Sequence, residues 1–333
     1  MGEYAKIKRR EAERSRKTLL ERGLLDCGRK TEREGEYVYF PITSGGKLSG
    51  FDVVEREGAV VDVREKSLKD FLSKIIPPEL QDFIPSSFDV IGDIAIIEIP
   101  EEIRGYEKQV GQALLKVHPS IKTVAVKETA VETEYRTRKV RVIAGEKKTE
   151  TIHKESGCRY KLDIEKAYFS PRSGAERERV ISKIEDGERV LVLFAGVGPF
   201  AILAAKNKKV EVTAVELNPD AVKYMCENVK LNKVDVKVVE GDAKTETPKL
   251  GKFDRIMMPL PKDGKDFLDV AVKALTPSGV IHYYTFQETT DDAEKEVKEL
   301  CEKLGCKPVI LESVICGSFS PALSRICVDF KAK

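Results

Sequence analysis

The stretch Leu193-Phe194-Ala195-Gly196-Val197-Gly198-Pro199-Phe200 carries two glycines spaced for a sharp turn. Glycine lets a backbone turn tightly and approach a ligand closely. The apolar run ERVLVLF precedes this turn and PFAILAAKN follows it, so it reads as the junction of a strand and a helix. Twenty residues beyond Gly196, at the end of the next strand-like run, stands Glu216, at the spacing of a carboxylate that accepts ribose hydroxyls. An acid after the third strand, Asp242 in EGDA, has the place to hold an adenine amino group. The dinucleotide fingerprint is incomplete, because position 201 is Ala and Pro199 opens the helix. That favours S-adenosylmethionine, a nucleoside with no pyrophosphate to seat at the helix N-terminus, over NAD. On these residues alone, NAD and a purely structural turn both stay open.

Other chemistries find less support. The three histidines, His118, His153 and His282, are far apart and give no metal-ligand spacing, so no metal is expected. Seven cysteines, an odd number without C-x-x-C, and a charged start without an apolar leader core fit a reducing cytoplasm. The longest uncharged run, 190–205, is interrupted by Gly196, Gly198 and Pro199 and is too short to span a bilayer. The 333 residues predict about two or three domains. A net charge of +2 does not by itself announce a nucleic-acid partner. Its distribution is uneven, however: residues 1–30 hold ten Lys/Arg against five Asp/Glu, and residues 121–180 hold fifteen against ten. Such basic stretches suit phosphates, although a Lys/Glu-rich surface also serves solubility or ion-pair networks.

The elements that must position these residues follow from periodicity. Residues 1–65 read as a small unit with a basic helix around Arg10 to Arg22, strands at Tyr37–Ile42 and Val60–Val63, and a loop at Ser44–Gly50 between them. A linker, 66–83, ends in the helix-disfavouring Pro77-Pro78 region. Residues 84–160 read as a middle α+β domain: DVIGDIAIIEIP as one strand, EEIRGYEKQVGQALLKV as an amphipathic helix, KTVAVKE as another strand, then half-basic strands. From 161 to 333 strands and helices alternate, as a doubly wound, mostly parallel sheet requires, because parallel strands need crossovers. The predicted fold class is therefore α/β, a Rossmann-like C-terminal domain behind two smaller α+β domains.

Four motifs, FAGVGPF, TIHKESGCRYKLDIEKAYFSPRSGAERERV, Pro259-Leu260-Pro261-Lys262 and GVIHYYTF, together resemble the archaeal and eukaryotic tRNA (guanine-N1)-methyltransferases that modify the guanine 3′ of the anticodon. Related wyosine-pathway enzymes share much of the long block. The resemblance spans most of the chain and implies a methyltransferase domain at 161–333, with 1–65 recognising tRNA. It implies that S-adenosylmethionine contacts Tyr168, Phe194, Gly196, Glu216, Asn218 and Asp242, with Gly198 completing the turn. It further implies Arg136 and Glu176 as catalytic residues, Pro261 in the pocket, and Arg172, Tyr168 and Lys262 on the substrate. At position 259 the family's Asn is replaced by Pro.

Those roles make chemical sense. Guanine N1 carries a proton, and attack on an electrophilic carbon requires that proton to leave while negative charge gathers on O6. A carboxylate near N1 and a guanidinium near O6 form the minimal pair. Read alone, Glu176 is a solvated helix residue paired with Arg177 or Arg179, and Arg136 is part of a charged strand face. Tyr168-Phe169 reads either as a stacking pair or as core, and His282-Tyr283-Tyr284 as a mostly internal strand. The target base must leave the anticodon stack, at a cost of a few kcal/mol that pocket contacts offset. The expected protein is a monomeric cytoplasmic enzyme with tRNA as partner, no membrane and no protein partner. The alternatives are a wyosine-pathway activity at the same nucleotide, either C-methylation of the tricyclic base or aminocarboxypropyl transfer, a non-catalytic tRNA-binding protein, or an NAD-dependent oxidoreductase. The Pro at 259 favours an altered base pocket.

Overall fold

A computed structural model describes residues 2–26, 28–43, 51–59, 67–128, 135 and 137–333. The chain divides into two compact units, Met1–Asp70 and Phe71–Lys333. In the first, β1 (Gly2–Lys8), α1 (Ala12–Glu21), β2 (Glu32–Glu34), β3 (Tyr37–Pro41) and β4 (Asp52–Arg56) form an antiparallel sheet of order β2-β3-β1-β4 with one helix. The opening residues are a strand rather than the approach to a helix. Ala5 and Ile7 pack with Val38 and Phe40 of β3, and Leu19 of α1 closes the same core. The strand expected at Val60–Val63 and the loop at Ser44–Gly50 lie outside the described residues, apart from the neighbouring segments.

The second unit opens with α2 (Leu68–Leu72), whose last residues it holds, and a small mixed sheet. Its strands are β5 (Asp89–Ile91), β6 (Ile94–Ile97), β7 (Thr123–Lys127) and β8 (Val140–Gly145), and α3 (Glu107–Val117) joins β6 to β7. The run expected as one strand from Asp89 is instead the β5–β6 hairpin, because Gly92 at φ +59° reverses the chain. Helix α3 buries Val110, Ala113 and Leu114. Its Gly111 lies so close to β8 that an added Cβ would stand 2.6 Å from that of Ala144. The segment after it is likewise a hairpin, β9 (Glu150–Glu155) and β10 (Cys158–Asp163), turning at Ser156-Gly157.

The C-terminal elements are α4 (Gly174–Ser182), β11 (Arg189–Leu193), α5 (Pro199–Asn207), β12 (Glu211–Glu216), α6 (Pro219–Asn232), β13 (Lys237–Glu240), α7 (Ala243–Glu246), β14 (Phe253–Met258), α8 (Leu268–Ala274), β15 (Leu275–Gln287), α9 (Thr290–Lys303), β16 (Pro308–Ser318) and β17 (Ser324–Ala332). They build a seven-stranded sheet of order β13-β12-β11-β14-β15-β17-β16. The first five strands are parallel and β17 runs antiparallel to both its neighbours. This is the doubly wound, Rossmann-like architecture. One side chain layer, with Val190, Val192, Ala201 and Met225, packs on one face of the sheet, and Leu191, Leu193, Ala271 and Val297 pack on the other. Strand order reverses between β11 and β14, which places a ligand crevice beyond their carboxyl ends. Among the described residues, no helix is long and apolar enough to cross a membrane.

Candidate active site

At that crevice β11 is followed by Phe194, which takes φ +54°, and the chain turns through Gly196 at φ +57° and Gly198 at φ +91°. Left-handed backbone of this kind is costly for residues with a Cβ. Gly198 has a second constraint, since a Cβ there would lie 2.9 Å from Met225 Cγ and 3.0 Å from Ile202 Cδ1. Glu216, at the end of the adjacent β12, accepts the Gly196 amide on Oε2 at 2.7 Å and the Asn218 amide on Oε1 at 2.8 Å. Burial pushes the Glu216 carboxyl above its ordinary value, against the pull of these backbone donors. The carboxylate keeps acceptor capacity for a hydroxyl group.

Asn218 is a structural hinge of the site. Its side chain accepts from the amides of Asp220 and Ala221, capping α6, and its Nδ2 donates to the Lys166 carbonyl at 2.7 Å. That bond holds the segment leading to Tyr168 over the glycine turn, so that the Tyr168 carbonyl lies 3.6 Å from the place of a Gly196 Cβ. Asp242 caps α7 by accepting the Lys244 amide at 2.7 Å.

A cavity of about 750 Å³ opens here, lined by Tyr168, Phe194, Gly196, Glu216, Asn218 and Asp242, with Pro259 and Lys262 on its far wall. The turn of the phenyl ring of Phe194 is fixed by an edge-on contact with Phe267, centroids 4.8 Å apart. Of the other residues singled out, neither Gly198 nor Pro261 is among the lining residues. Arg172 stands outside it, largely exposed, with Nε donating to Asp89 at 2.6 Å. Glu176 is 6% exposed and is also absent from the lining. Its carboxylate meets Arg179 and the Tyr284 hydroxyl. The pairing with Arg179 read from sequence is present, but in the interior rather than in solvent. Arg136 lies outside the described residues. Tyr135, immediately before it, lines the cavity.

Residues 151–309 match the TRM5/TYW2 methyltransferase domain, 68–149 the TYW2 N-terminal domain, and 6–46 the tRNA methyltransferase 5 N-terminal domain. The tRNA (guanine(37)-N(1))-methyltransferase Trm5b of Pyrococcus abyssi is 44% identical over 98% of this chain and 98% of its own length. The chain belongs to the TRM5/TYW2 methyltransferase family. Among solved structures of the family, the complex of aTrm5 with tRNALeu matches with TM-score 0.78 at 35% identity, covering 99% of each chain. TYW2 of M. jannaschii in complex with AdoMet matches with TM-score 0.57 at 28% identity, covering 74% of this chain and all of that one.

Within this TRM5/TYW2 chain, sequence reading missed part of the wall: Leu260, Asp263, Phe267, Phe286 and Phe319. The last two stack with centroids 4.1 Å apart, and Phe319 is 61% exposed. A lone Phe in the polar turn Gly-Ser-Phe-Ser-Pro was the available signal, since burial does not explain an aromatic there. Arg325 was also missed. It faces Phe286 in the β15–β17 register and donates to Ser173 Oγ at 2.9 Å and the Cys316 carbonyl at 2.7 Å. It thereby anchors the residue that precedes α4. Tyr168 is 38% exposed, whereas Phe169 is buried against Tyr160 and His153. Phe169 thus takes the core reading. The fully buried group His282, Cys327 and Asp329 has the proximity of a metal site. Arg179, Lys183 and Arg255 pack on the same cluster, and these cations oppose a metal ion.

Proposed function

We propose that this chain transfers a methyl group from S-adenosylmethionine to N1 of guanosine 37 in tRNA, with Glu176 as general base and Arg136 stabilising charge on O6. The observation that carries the reading is a full-length relative with this activity in its name, combined with a cavity whose parts suit a nucleoside. Glu216 offers acceptors for ribose, Asp242 an acceptor near the adenine position, and Gly196 and Tyr168 a close, flat wall. When bound, S-adenosylmethionine supplies a methyl group already activated by its sulfonium. The protein's own tasks are then to orient the base, to take the N1 proton at Glu176, and to place a guanidinium where O6 becomes negative. Tyr168 is the exposed ring on which the flipped base stacks, and Arg172 and Lys262 hold its phosphates or edge.

In the first unit, Arg9, Arg16 and Arg33 surround a surface hollow beside α1, a pattern suited to tRNA phosphates. The TYW2 N-terminal match and Pro259 on the cavity wall favour a second reading, a wyosine-pathway activity at the same nucleotide, either C-methylation of the tricyclic base in addition to N1-methylation or aminocarboxypropyl transfer. We read the enzyme as a monomer acting in the cytoplasm without a protein partner. One assay tests the reaction: labelled donor, transcript tRNA with guanosine or inosine at position 37, and mass spectrometry of the product nucleoside. N1-methylguanosine is the expected product, and no methyl transfer to either transcript defeats the proposal. Glu176→Gln should lower the single-turnover rate about 10²- to 10⁴-fold.

A further inference from the structure

Glu176 sits in a closed charge cluster distinct from the cofactor cavity. Its Oε1 accepts from the Tyr284 hydroxyl at 2.6 Å and from Arg179 Nη2 at 2.8 Å, and its Oε2 accepts from Arg179 Nε at 2.7 Å. Arg179 is itself fixed from behind, donating from Nη1 to Asp329 at 2.8 Å and to Glu312 at 2.8 Å. Asp329, 1% exposed, also accepts from Lys183 and lies 2.6 Å from His282 Nδ1. Arg255 Nη1 stands 2.9 Å from His282 Nε2. A guanidinium can only donate, so Nε2 must be the acceptor and the ring proton sits on Nδ1, aimed at Asp329. Arg255 is held in turn by Glu188 through two bonds of 2.6 and 2.7 Å.

The other titratable groups near Glu176 are the thiols of Cys327 on β17, which is buried, and of Cys316 on β16, which is half-buried. Because Arg179 is shared with Asp329 and Glu312, it orients Glu176 without bringing it a whole uncompensated positive charge. A carboxylate offers about four lone-pair sites. Three of those on Glu176 are occupied, and among the described residues no further donor reaches it.

We propose that Tyr284 and Arg179 are positioning residues for the methyl transfer, filling three acceptor sites of Glu176 and leaving one, on Oε2, to receive the proton of the substrate base. The inference rests on Glu176 being the general base. In that step the N1–H bond breaks, its electron pair stays on the purine, and an O–H bond forms at Oε2. Tyr284 is two residues from Phe286 on the cavity wall, and Arg325, opposite Phe286 in the strand register and bonded to Ser173 just before α4, links the two regions.

The test is the single-turnover rate of the full chain, saturated with tRNA and donor, followed from about pH 5.5 to about pH 8.5 for wild type, Tyr284→Phe and Glu176→Gln. The phenol holds Oε1 in one orientation, so removing it lets the carboxylate turn away from the proton it must take. Tyr284→Phe should therefore lower the saturated rate about tenfold across that pH range. Binding of tRNA and donor should stay within about twofold, because neither is touched by the phenol. A Tyr284→Phe profile that overlays wild type while Glu176→Gln is inactive overturns the positioning role and leaves the base standing. Glu176→Gln as fast as wild type removes the base and this inference together. Where Tyr284→Phe fails to bind donor and so has not folded, Arg179→Lys replaces it. Lys keeps the charge but cannot bridge both oxygens, and a wild-type rate for that variant overturns the proposal equally.

Discussion

The cofactor cavity and the cluster beneath Glu176 are two polar sites in one domain, built on opposite plans. The cavity is open, and its hydrogen-bonding groups are mainly backbone amides and strand-end carboxylates, each placed by a turn a few residues away. The cluster is closed, and its groups are side chains from α4, β14, β15, β16 and β17 that pair with one another rather than with solvent. In the first, a charge such as Glu216 keeps unused acceptor capacity. In the second, nearly every donor and acceptor is matched, as burial demands. A site that must bind and release a small molecule tolerates solvent access. A site that must keep one carboxylate in one orientation gains from excluding water, which strengthens each contact.

The sharpest way to break the contrast is Asp329→Ala. It strips the shared anion from Arg179, Lys183 and His282 and leaves buried cations unpaired, so unfolding free energy should drop by about 3–5 kcal/mol in a denaturant titration. If the loss is below about 1 kcal/mol, the cluster is not the coupled unit its geometry describes. Glu216→Gln probes the open site. Its amide would present a donor to one of the two backbone amides now bonded at 2.7 and 2.8 Å, and it would weaken the ribose contact. Donor affinity measured by calorimetry should fall by about 1.5–3 kcal/mol, and unfolding free energy by about 1 kcal/mol for the backbone amide left without an acceptor. A large stability loss with unchanged affinity would mean that Glu216 serves the turn and not the ligand.

The smallest effect separates the regions by pH. Burial holds His282 below its ordinary value even though Asp329 pulls the other way. The unfolded chain therefore takes up a proton near the ordinary histidine range that the folded chain refuses, and stability must fall as pH drops through about 6.5. Asp329 has the usual carboxylate sign: burial alone would raise it, but the bonds from His282, Arg179 and Lys183 hold it well below the ordinary range. Its contribution is complete above about pH 4 and is lost only in stronger acid. Thermal midpoints at pH 7 and pH 5.5 should thus differ for wild type, and the difference should shrink in His282→Gln. An equal difference in both proteins assigns the pH response to another group.

The open site was largely legible in sequence because its chemistry is local. A Gly-x-Gly turn after an apolar run, an acid twenty residues later and a further acid after the third strand lie on successive β-α units, and a parallel sheet brings successive strand ends together. The β5–β6 and β9–β10 hairpins were harder, since an apolar run around a single Gly92 or an alternating run around Ser156-Gly157 has the same periodicity as an unbroken strand. Nothing in the local pattern of AERER distinguished a solvated Glu176 from a buried one. Its partner Arg179 is three residues away, but Tyr284 is 108 positions distant and Asp329, which fixes Arg179, lies 150 positions from it. Glycine placement, strand–helix alternation and charge distribution were settled by the amino-acid order, because backbone sterics and hydrophobic periodicity act over a few residues. Which acid is held, by which donors and with which lone pair left over was decided by the packing of α4 on β15 and β17, because hydrogen-bond geometry exists only once distant strands are side by side.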